Sequence, residues 1–165
     1  YADWALGEFI SSAKKAGYYD NTIFILTADH VSGFAGRAND VPSMHHVPLL
    51  VVAPGLKPGI TTRTGGQVDV IPTLARLAGW RSSHAGLGHP LLDTRPDLAR
   101  GTLCVRGNII ERIEDKGWVA HDQRQRVTAS PGLREEDALA MEGRLLAMYQ
   151  VAHTLLLRNR IYPMD

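Results

Sequence analysis

Residues 22–30, Thr22-Ile-Phe-Ile-Leu-Thr-Ala-Asp-His30, decide the fold class of this chain. The first six form a short, unbroken run of apolar and β-branched residues, which predicts a strand buried on both faces. Residues 47–53, Val47-Pro-Leu-Leu-Val-Val-Ala53, have the same character, and Pro54-Gly55 ends the run. Two such strands predict an α/β layer structure that contains part of a mostly parallel sheet flanked by helices.

Helical patterns flank these strands on both sides. Apolar residues recur at helical spacing before the first strand, at Ala2, Leu6, Phe9, Ile10 and Ala13. Gly17 is suited to end that helix, because glycine tolerates the left-handed conformation at a helix C-terminus. After the second strand, Asp69 is suited to cap a helix over residues 70–78, and Gly79 closes this helix.

The last third of the chain has a different pattern. Three short segments follow one another closely and predict a small antiparallel sheet: residues 102–106, 108–113 and 118–121. Asp115-Lys-Gly117 is a hairpin-type turn between the last two segments. Over residues 133–160 an apolar stripe returns and predicts a long C-terminal helix. We therefore expect a portion of an α/β domain over residues 1–98 and an antiparallel subdomain with a long helix over residues 99–165.

Composition narrows the class of protein. The chain has 165 residues, of which 44% are hydrophobic and 21% charged, as is usual for a soluble globular domain. The formal net charge is +1, and without a block of basic residues we expect no nucleic-acid partner. No run reaches the roughly 18 to 20 apolar residues that span a bilayer, so we expect no membrane contact by this segment. The single cysteine, Cys104, excludes an internal disulfide.

The segment Thr27-Ala-Asp-His30 is best suited to chemistry, because α/β sheets gather ligands at the carboxyl ends of their strands. Asp29 and His30 carry ordinary ligand groups for zinc or manganese, while a solvated turn is the commoner role of such a pair. His45 and His46 precede the second strand, where each suits a surface histidine as well as a ligand.

Three other residues have simpler explanations than chemistry. Asp69 is better explained as a helix cap than as a ligand. Thr27 ends a strand and is expected to pack or hydrogen-bond locally. Cys104 has no evident basic partner that would make its thiol a nucleophile, and we expect a small buried residue. The sequence therefore predicts no nucleophile in this chain.

Four segments agree in order, spacing and residue type with one known family: Tyr1-Ala-Asp-Trp-Ala-Leu-Gly-Glu-Phe-Ile10, Gly17-Tyr-Tyr-Asp-Asn-Thr-Ile-Phe-Ile-Leu-Thr-Ala-Asp-His30, His46-Val-Pro-Leu-Leu-Val-Val-Ala-Pro-Gly55 and Gly66-Gln-Val-Asp-Val-Ile-Pro-Thr-Leu-Ala-Arg-Leu-Ala-Gly79. They resemble the latter half of the sulfatase domain in lipoteichoic-acid-synthase-like phosphoglycerol transferases, a branch of the sulfatase and alkaline phosphatase superfamily. One departure is that Val31-Ser32 separates His30 from Gly33, where many members have glycine next.

The resemblance implies a set of roles. Asp29 and His30 would be ligands of a catalytic divalent metal ion, which is manganese, zinc or calcium. His46 would contact a substrate phosphate or a second ion, with His45 as the alternative, and the substrates would be phosphate or sulfate esters. The nucleophile would come from the upstream half of the same polypeptide, so we expect the isolated chain to be inactive. The family also implies a membrane-anchored parent whose catalytic domain lies outside the cytoplasm.

Two hypotheses follow from different classes of function. The first is a fragment of a metal-dependent sulfatase-like hydrolase or of a phosphoglycerol or phosphoryl transferase, and the helical pattern already present at Tyr1 agrees with a fragment. The second is a non-catalytic sulfatase-fold domain for binding or assembly. An incomplete sheet would leave an edge or apolar face uncovered, which predicts self-association. A metal titration separates the two hypotheses.

Overall fold

A computed structural model describes residues 1–32, 40–80, 86–93, 95 and 100–160. The chain divides into two compact units. Unit 1 consists of residues 1–29 and 47–60, and unit 2 consists of residues 30–46 and 61–165. The boundary near residue 98 stays a prediction of domain organisation.

Unit 1 contains helix α1 (Ala2–Lys15), a 3-10 turn (Tyr19–Asn21) and strands β1 (Phe24–Thr27) and β2 (Leu49–Val52). Aromatic contacts hold the helix and turn against β1. The Phe9 and Phe24 rings meet edge to face with centroids 6.0 Å apart, and Tyr19 stacks on Phe24 at 5.5 Å. The chain turns out of the helix at Gly17, whose φ of 79° is in the left-handed region.

Strands β1 and β2 pair antiparallel, with Phe24 opposite Val52 and Thr27 opposite Leu49. The prediction of a mostly parallel sheet is therefore wrong for this pair. The prediction of burial on both faces is wrong as well, because Leu50 is 57% exposed. An apolar run indicates a strand but not its direction, which depends on where the intervening chain re-enters the sheet. Here the chain returns to the end of the sheet that it left, without the crossover that a parallel pair requires.

In its described residues, unit 2 contains two 3-10 turns, two helices and a four-stranded sheet. In chain order these are the turns Pro42–Met44 and Gln67–Asp69, helix α2 (Val70–Leu77), strands β3 (Thr102–Arg106), β4 (Ile109–Glu114), β5 (Gly117–His121) and β6 (Arg126–Ala129), and helix α3 (Glu135–Leu157). The strands pair in sequence order, all antiparallel. The α/β fold with a small antiparallel sheet and a long C-terminal helix is thus confirmed, and β6 is a strand that the sequence analysis missed.

Strand alternation gives this sheet two apolar faces. On one face, Ile110 and Val119 pack against α3 through Ala138, Met141 and Leu145, all of them almost fully buried. The other face carries a second buried cluster, which consists of Ile113, Trp118, Ala120 and Val41. Val41 belongs to the segment between β1 and β2. The sheet is therefore covered by α3 on one face and by part of the β1–β2 connection on the other.

Charged residues in β4 also tie the sheet to α3. Glu114 is buried and accepts hydrogen bonds from Arg112 of the same strand and from Arg144 of α3, whose Nε and Nη2 lie 2.8 and 2.9 Å from the carboxylate oxygens. Burial alone would raise the pKa of Glu114, but the bonds and charges of Arg144 and Arg112 outweigh burial and lower it. The buried carboxylate is thereby kept charged and paired.

Candidate functional site

The candidate ligand segment leaves the sheet at the carboxyl end of β1. Thr27 lies opposite Leu49, the first residue of β2, so Ala28-Asp29 and Val47-Pro48 depart from the same end of the two-stranded sheet. The Thr27 hydroxyl donates to the Pro48 carbonyl oxygen at 2.9 Å and joins the two segments at that end. The antiparallel register brings both segments to one edge.

Asp29 and His30 are both exposed. His30 Nδ1 lies 2.7 Å from the Val31 carbonyl oxygen. A carbonyl oxygen only accepts hydrogen bonds, so the ring hydrogen is on Nδ1, and in the neutral ring the lone pair is on Nε2. A backbone carbonyl on one ring nitrogen is a common way to orient a ligating histidine. Gly33, whose spacing from His30 departs from the family pattern, lies outside the described residues.

The described ranges hold no group of three or more His, Cys, Asp or Glu side chains arranged to bind a metal ion. The role of Asp29 and His30 as metal ligands therefore stays a prediction from the sequence. Two ligands are half of the usual tetrahedral shell of zinc.

The structure separates His45 from His46. Residues 42–44 form a 3-10 turn in which the backbone N–H of His45 donates to the Pro42 carbonyl oxygen at 3.1 Å. The His45 side chain is 20% exposed, and its Nε2 lies 2.6 Å from Glu111 Oε2. His46, the next residue, is exposed. One histidine of the pair is thus held against the C-terminal sheet, and the other faces solvent.

Glu111, the partner of His45, is a residue that the sequence analysis did not single out. Its side chain is fully buried in the middle of β4, directly opposite Cys104 on one side and Ala120 on the other. Arg106 donates to its second oxygen, Oε1, at 3.1 Å. The sequence contains one sign of this role: Glu111 lies between Ile109 and Ile113 on the same face of a strand, at a position that faces the core. Such a carboxylate needs a partner, but the sequence does not say that the partner is His45.

Cys104 is unsuited to act as a nucleophile. Burial raises the pKa of its thiol to about 11, and the negative charge of Glu111 adds to the effect. The thiol is therefore protonated at neutral pH, whereas the thiolate is the reactive form.

Asp69 holds a loop together. It occupies the N-cap position of α2, as predicted, but its side chain makes no cap bond to that helix. Instead its two oxygens accept from the backbone N–H groups of Gly66, at 2.8 Å, and His89, at 2.7 Å. Thr73 extends the link, since its hydroxyl accepts from the Leu91 N–H at 2.9 Å. Both oxygens of this buried carboxylate thus accept hydrogen bonds from backbone N–H groups, and Asp69 thereby links the two segments that carry these donors.

Part of the chain is similar in sequence to known proteins. Residues 1–80 match the family model described as Sulfatase. Over 92 residues, the chain is 36% identical to lipoteichoic acid synthase 1 of Bacillus subtilis (strain 168), a match that covers 48% of this chain and 14% of that protein. It is 32% identical over 93 residues to lipoteichoic acid synthase of Staphylococcus aureus (strain USA300), with the same coverage.

A solved structure extends the match to nearly the whole chain. A crystal structure of a protein in the alkaline phosphatase superfamily from Vibrio parahaemolyticus superposes with a TM-score of 0.75 and 27% identity, covering 98% of this chain and 41% of that one. The chain thus spans less than half of the length of each of these relatives. In the described residues, no helix is long and apolar enough to cross a membrane. The resemblance of this chain to the lipoteichoic-acid-synthase-like branch of the sulfatase and alkaline phosphatase superfamily is confirmed.

Proposed function

We propose that this chain is part of a metal-dependent enzyme that transfers or hydrolyses phosphate or sulfate ester groups, with phosphoglycerol transfer as the favoured reaction. The observation that carries the proposal is the end of the β1–β2 sheet, where the segment bearing Asp29 and the segment entering β2 depart together. The similarity to two proteins named for lipoteichoic acid synthesis supports the transferase branch.

In this proposal, Asp29 and His30 hold the divalent ion, whether manganese, zinc or calcium. Their donor set fits manganese or zinc better than calcium, since His30 supplies an imidazole nitrogen beside the Asp29 carboxylate and calcium takes oxygen ligands. A bound ion of this kind neutralises charge on the transferred group as a Lewis acid. His46, which is exposed, is the candidate contact for the oxygens of that group, because a histidine donates to phosphate or sulfate.

The nucleophile is proposed to lie in an upstream part of a longer polypeptide. The Thr27 hydroxyl already donates to the Pro48 carbonyl oxygen, and Cys104 is a half-buried, protonated thiol. By analogy with the family, the longer protein would be anchored in a membrane with this part outside the cytoplasm. The chain by itself is therefore expected to be inactive on phosphate and sulfate esters.

Manganese titration of the ¹⁵N-labelled chain tests the proposal. Paramagnetic Mn²⁺ should broaden backbone signals around residues 29 and 30, and His30→Ala should abolish the broadening without changing the rest of the spectrum. Binding will be weak, since two ligands leave most of the coordination shell to water. His153→Ala is a matched control, because this histidine is exposed on α3. Broadening that survives His30→Ala, or none up to millimolar Mn²⁺, would favour the non-catalytic binding or assembly domain.

A further inference from the structure

We propose that Glu111 is a positioning residue for His45: it holds the imidazole in the Nε2–H tautomer and leaves Nδ1 as an acceptor of defined direction. Any role of His45 toward a substrate rests on the proposed function. The tautomer and the positioning rest only on contacts within unit 2.

The hydrogen-bond partners fix where the ring hydrogen lies. Glu111 Oε2 is 2.6 Å from His45 Nε2, and Oε1 accepts from the Arg106 guanidinium at 3.1 Å. Arginine is always charged and always a donor, and an ionised carboxylate beside it only accepts. The hydrogen in the short contact therefore belongs to His45 Nε2. In the neutral ring, Nδ1 then carries the lone pair.

Burial makes this contact hard to replace by water. The Glu111 side chain has no exposed surface, and its neighbours across the sheet are Cys104 and Ala120. A buried carboxylate that loses its donors is costly, so Glu111 holds both Arg106 and His45 in place. Charge-assisted hydrogen bonds of this kind are also stronger and more directional than neutral ones.

The backbone that carries the ring is held as well. Val41 is buried in the core cluster with Ile113 and Trp118, and the 3-10 turn that follows ends in the bond from His45 N–H to the Pro42 carbonyl oxygen. The ring is therefore restrained at its backbone and at its tip. Such double restraint is what a side chain needs if it is to keep one orientation toward a ligand.

This arrangement gives the two histidines different chemistry. While the His45 ring is neutral, its Nδ1 can accept a hydrogen bond from a hydroxyl group. It has no hydrogen to donate to an oxygen of an ionised phosphate. His45 is thereby suited to an alcohol, and exposed His46 remains the candidate for a phosphate or sulfate oxygen. The choice that the sequence left open becomes a division of roles.

Imidazole nitrogen NMR on the full 165-residue chain tests the inference. Long-range ¹H–¹⁵N spectra of ¹⁵N-histidine-labelled protein at pH 8, without metal or substrate, should show His45 protonated on Nε2 and unprotonated on Nδ1. In Glu111→Gln the amide can donate as well as accept, so the ratio of the two tautomers should fall about tenfold, toward that of His46, which corresponds to about 1.4 kcal/mol. Glu136→Gln, an exposed glutamate of α3, is the matched control and should leave the ratio unchanged.

Two results would overturn the inference: a wild-type His45 that is mainly protonated on Nδ1, or a tautomer ratio that Glu111→Gln does not change. If Glu111→Gln fails to fold, Arg106→Gln decides together with the wild-type spectrum. Arg106→Gln keeps the Glu111 carboxylate and should retain the Nε2–H tautomer of His45. Loss of that tautomer would show that Arg106, and not Glu111, determines it. Because these spectra contain no metal, their outcome is independent of the manganese titration that tests the proposed function.

Discussion

Replacing Glu114 by glutamine is expected to be among the most destabilising single changes in unit 2. Glu114 and Arg112 side chains are 7% and 6% exposed, and Arg144 of α3 donates two hydrogen bonds to the same carboxylate. The substitution removes the charge without changing the shape. It leaves the buried guanidinium of Arg112 without its carboxylate and weakens the attachment of α3 to the sheet.

The magnitude follows from burial. Breaking a buried ion pair by removing one partner costs about 3–5 kcal/mol, and we expect a value near the low end, about 3 kcal/mol, because water reaches Arg144 and screens part of the interaction. Arg144, whose side chain is 38% exposed, should matter less: Arg144→Met is expected to cost about 1 kcal/mol. For a chain of this size, a loss of about 3 kcal/mol lowers the melting temperature by roughly 6–12 °C.

The effect should depend on pH with a definite sign. The pKa of Glu114 is lowered in the folded state, so its contribution to stability is complete above the unfolded carboxyl pKa of about 4.3. The contribution is lost as pH falls through the lowered folded pKa. The difference in unfolding free energy between the wild type and Glu114→Gln should therefore stay constant from about pH 6 to 8 and shrink below about pH 4.

Urea unfolding monitored by tryptophan fluorescence measures this difference. Trp118 is buried in unit 2, whereas Trp4 and Trp80 are 63% and 65% exposed, so the spectral shift on unfolding comes mainly from Trp118. Glu136→Gln, on the exposed surface of α3, serves as the control and should stay within about 0.5 kcal/mol of the wild type. A loss below about 1 kcal/mol for Glu114→Gln at pH 7, or a loss that does not shrink in acid, would refute the reasoning.

Two further predictions concern the exposed strand β2 and the half-buried thiol of Cys104. Leu50 of β2 is 57% exposed, so the chain should self-associate as its concentration rises. In sedimentation velocity, Leu50→Lys should reduce the association, and its circular dichroism spectrum should match that of the wild type. A wild type that stays monomeric at high concentration would contradict this prediction. Because burial raises the pKa of Cys104 to about 11, its alkylation by iodoacetamide should be slow at pH 8 and accelerate only as the pH nears that value. Reaction at pH 8 as fast as that of an unfolded control would show that the thiol is accessible and ionised.

The attachment of the β1–β2 connection to the C-terminal sheet is the feature that links fold and site in unit 2. Val41 fills a place in the core of the sheet, and His45 bonds to Glu111 on the same face. The strands after residue 100 therefore hold the segment that leads into His46. A change in this sheet is expected to alter the site indirectly, through the position of that segment.

The periodicity of apolar residues was sufficient to predict most elements. Helix α2 was expected over residues 70–78 and is observed at Val70–Leu77, and the long C-terminal helix is observed at Glu135–Leu157. These predictions succeed because helix and strand patterns arise from neighbours a few residues apart. Strand β6 was missed, since Arg126–Ala129 is short and only partly apolar, and its pairing with β5 depends on the preceding turn.

The candidate site was also only partly predictable from the sequence. The position of Asp29 and His30 after a strand is readable from the local order of residues, and their role as metal ligands stays a prediction. Asp69 was correctly placed at the start of α2, but its bonds to Gly66 and His89 could not be foreseen. Its two backbone donors come from opposite sides of α2 in the chain, and only the folded loop brings them together.

The sequence by itself determined the α/β class without the strand direction, the family resemblance and the approximate limits of most helices and strands, because these depend on local spacing and residue type. Only the tertiary structure decided that β1 and β2 run antiparallel and that Glu111 is the partner of His45. Both depend on how distant segments close on each other. An apolar run can pair in a sheet in either direction, and a buried carboxylate can accept a hydrogen bond from any donor of suitable geometry. Neither choice can be read from residues a few positions apart, because each depends on contacts between segments distant in sequence.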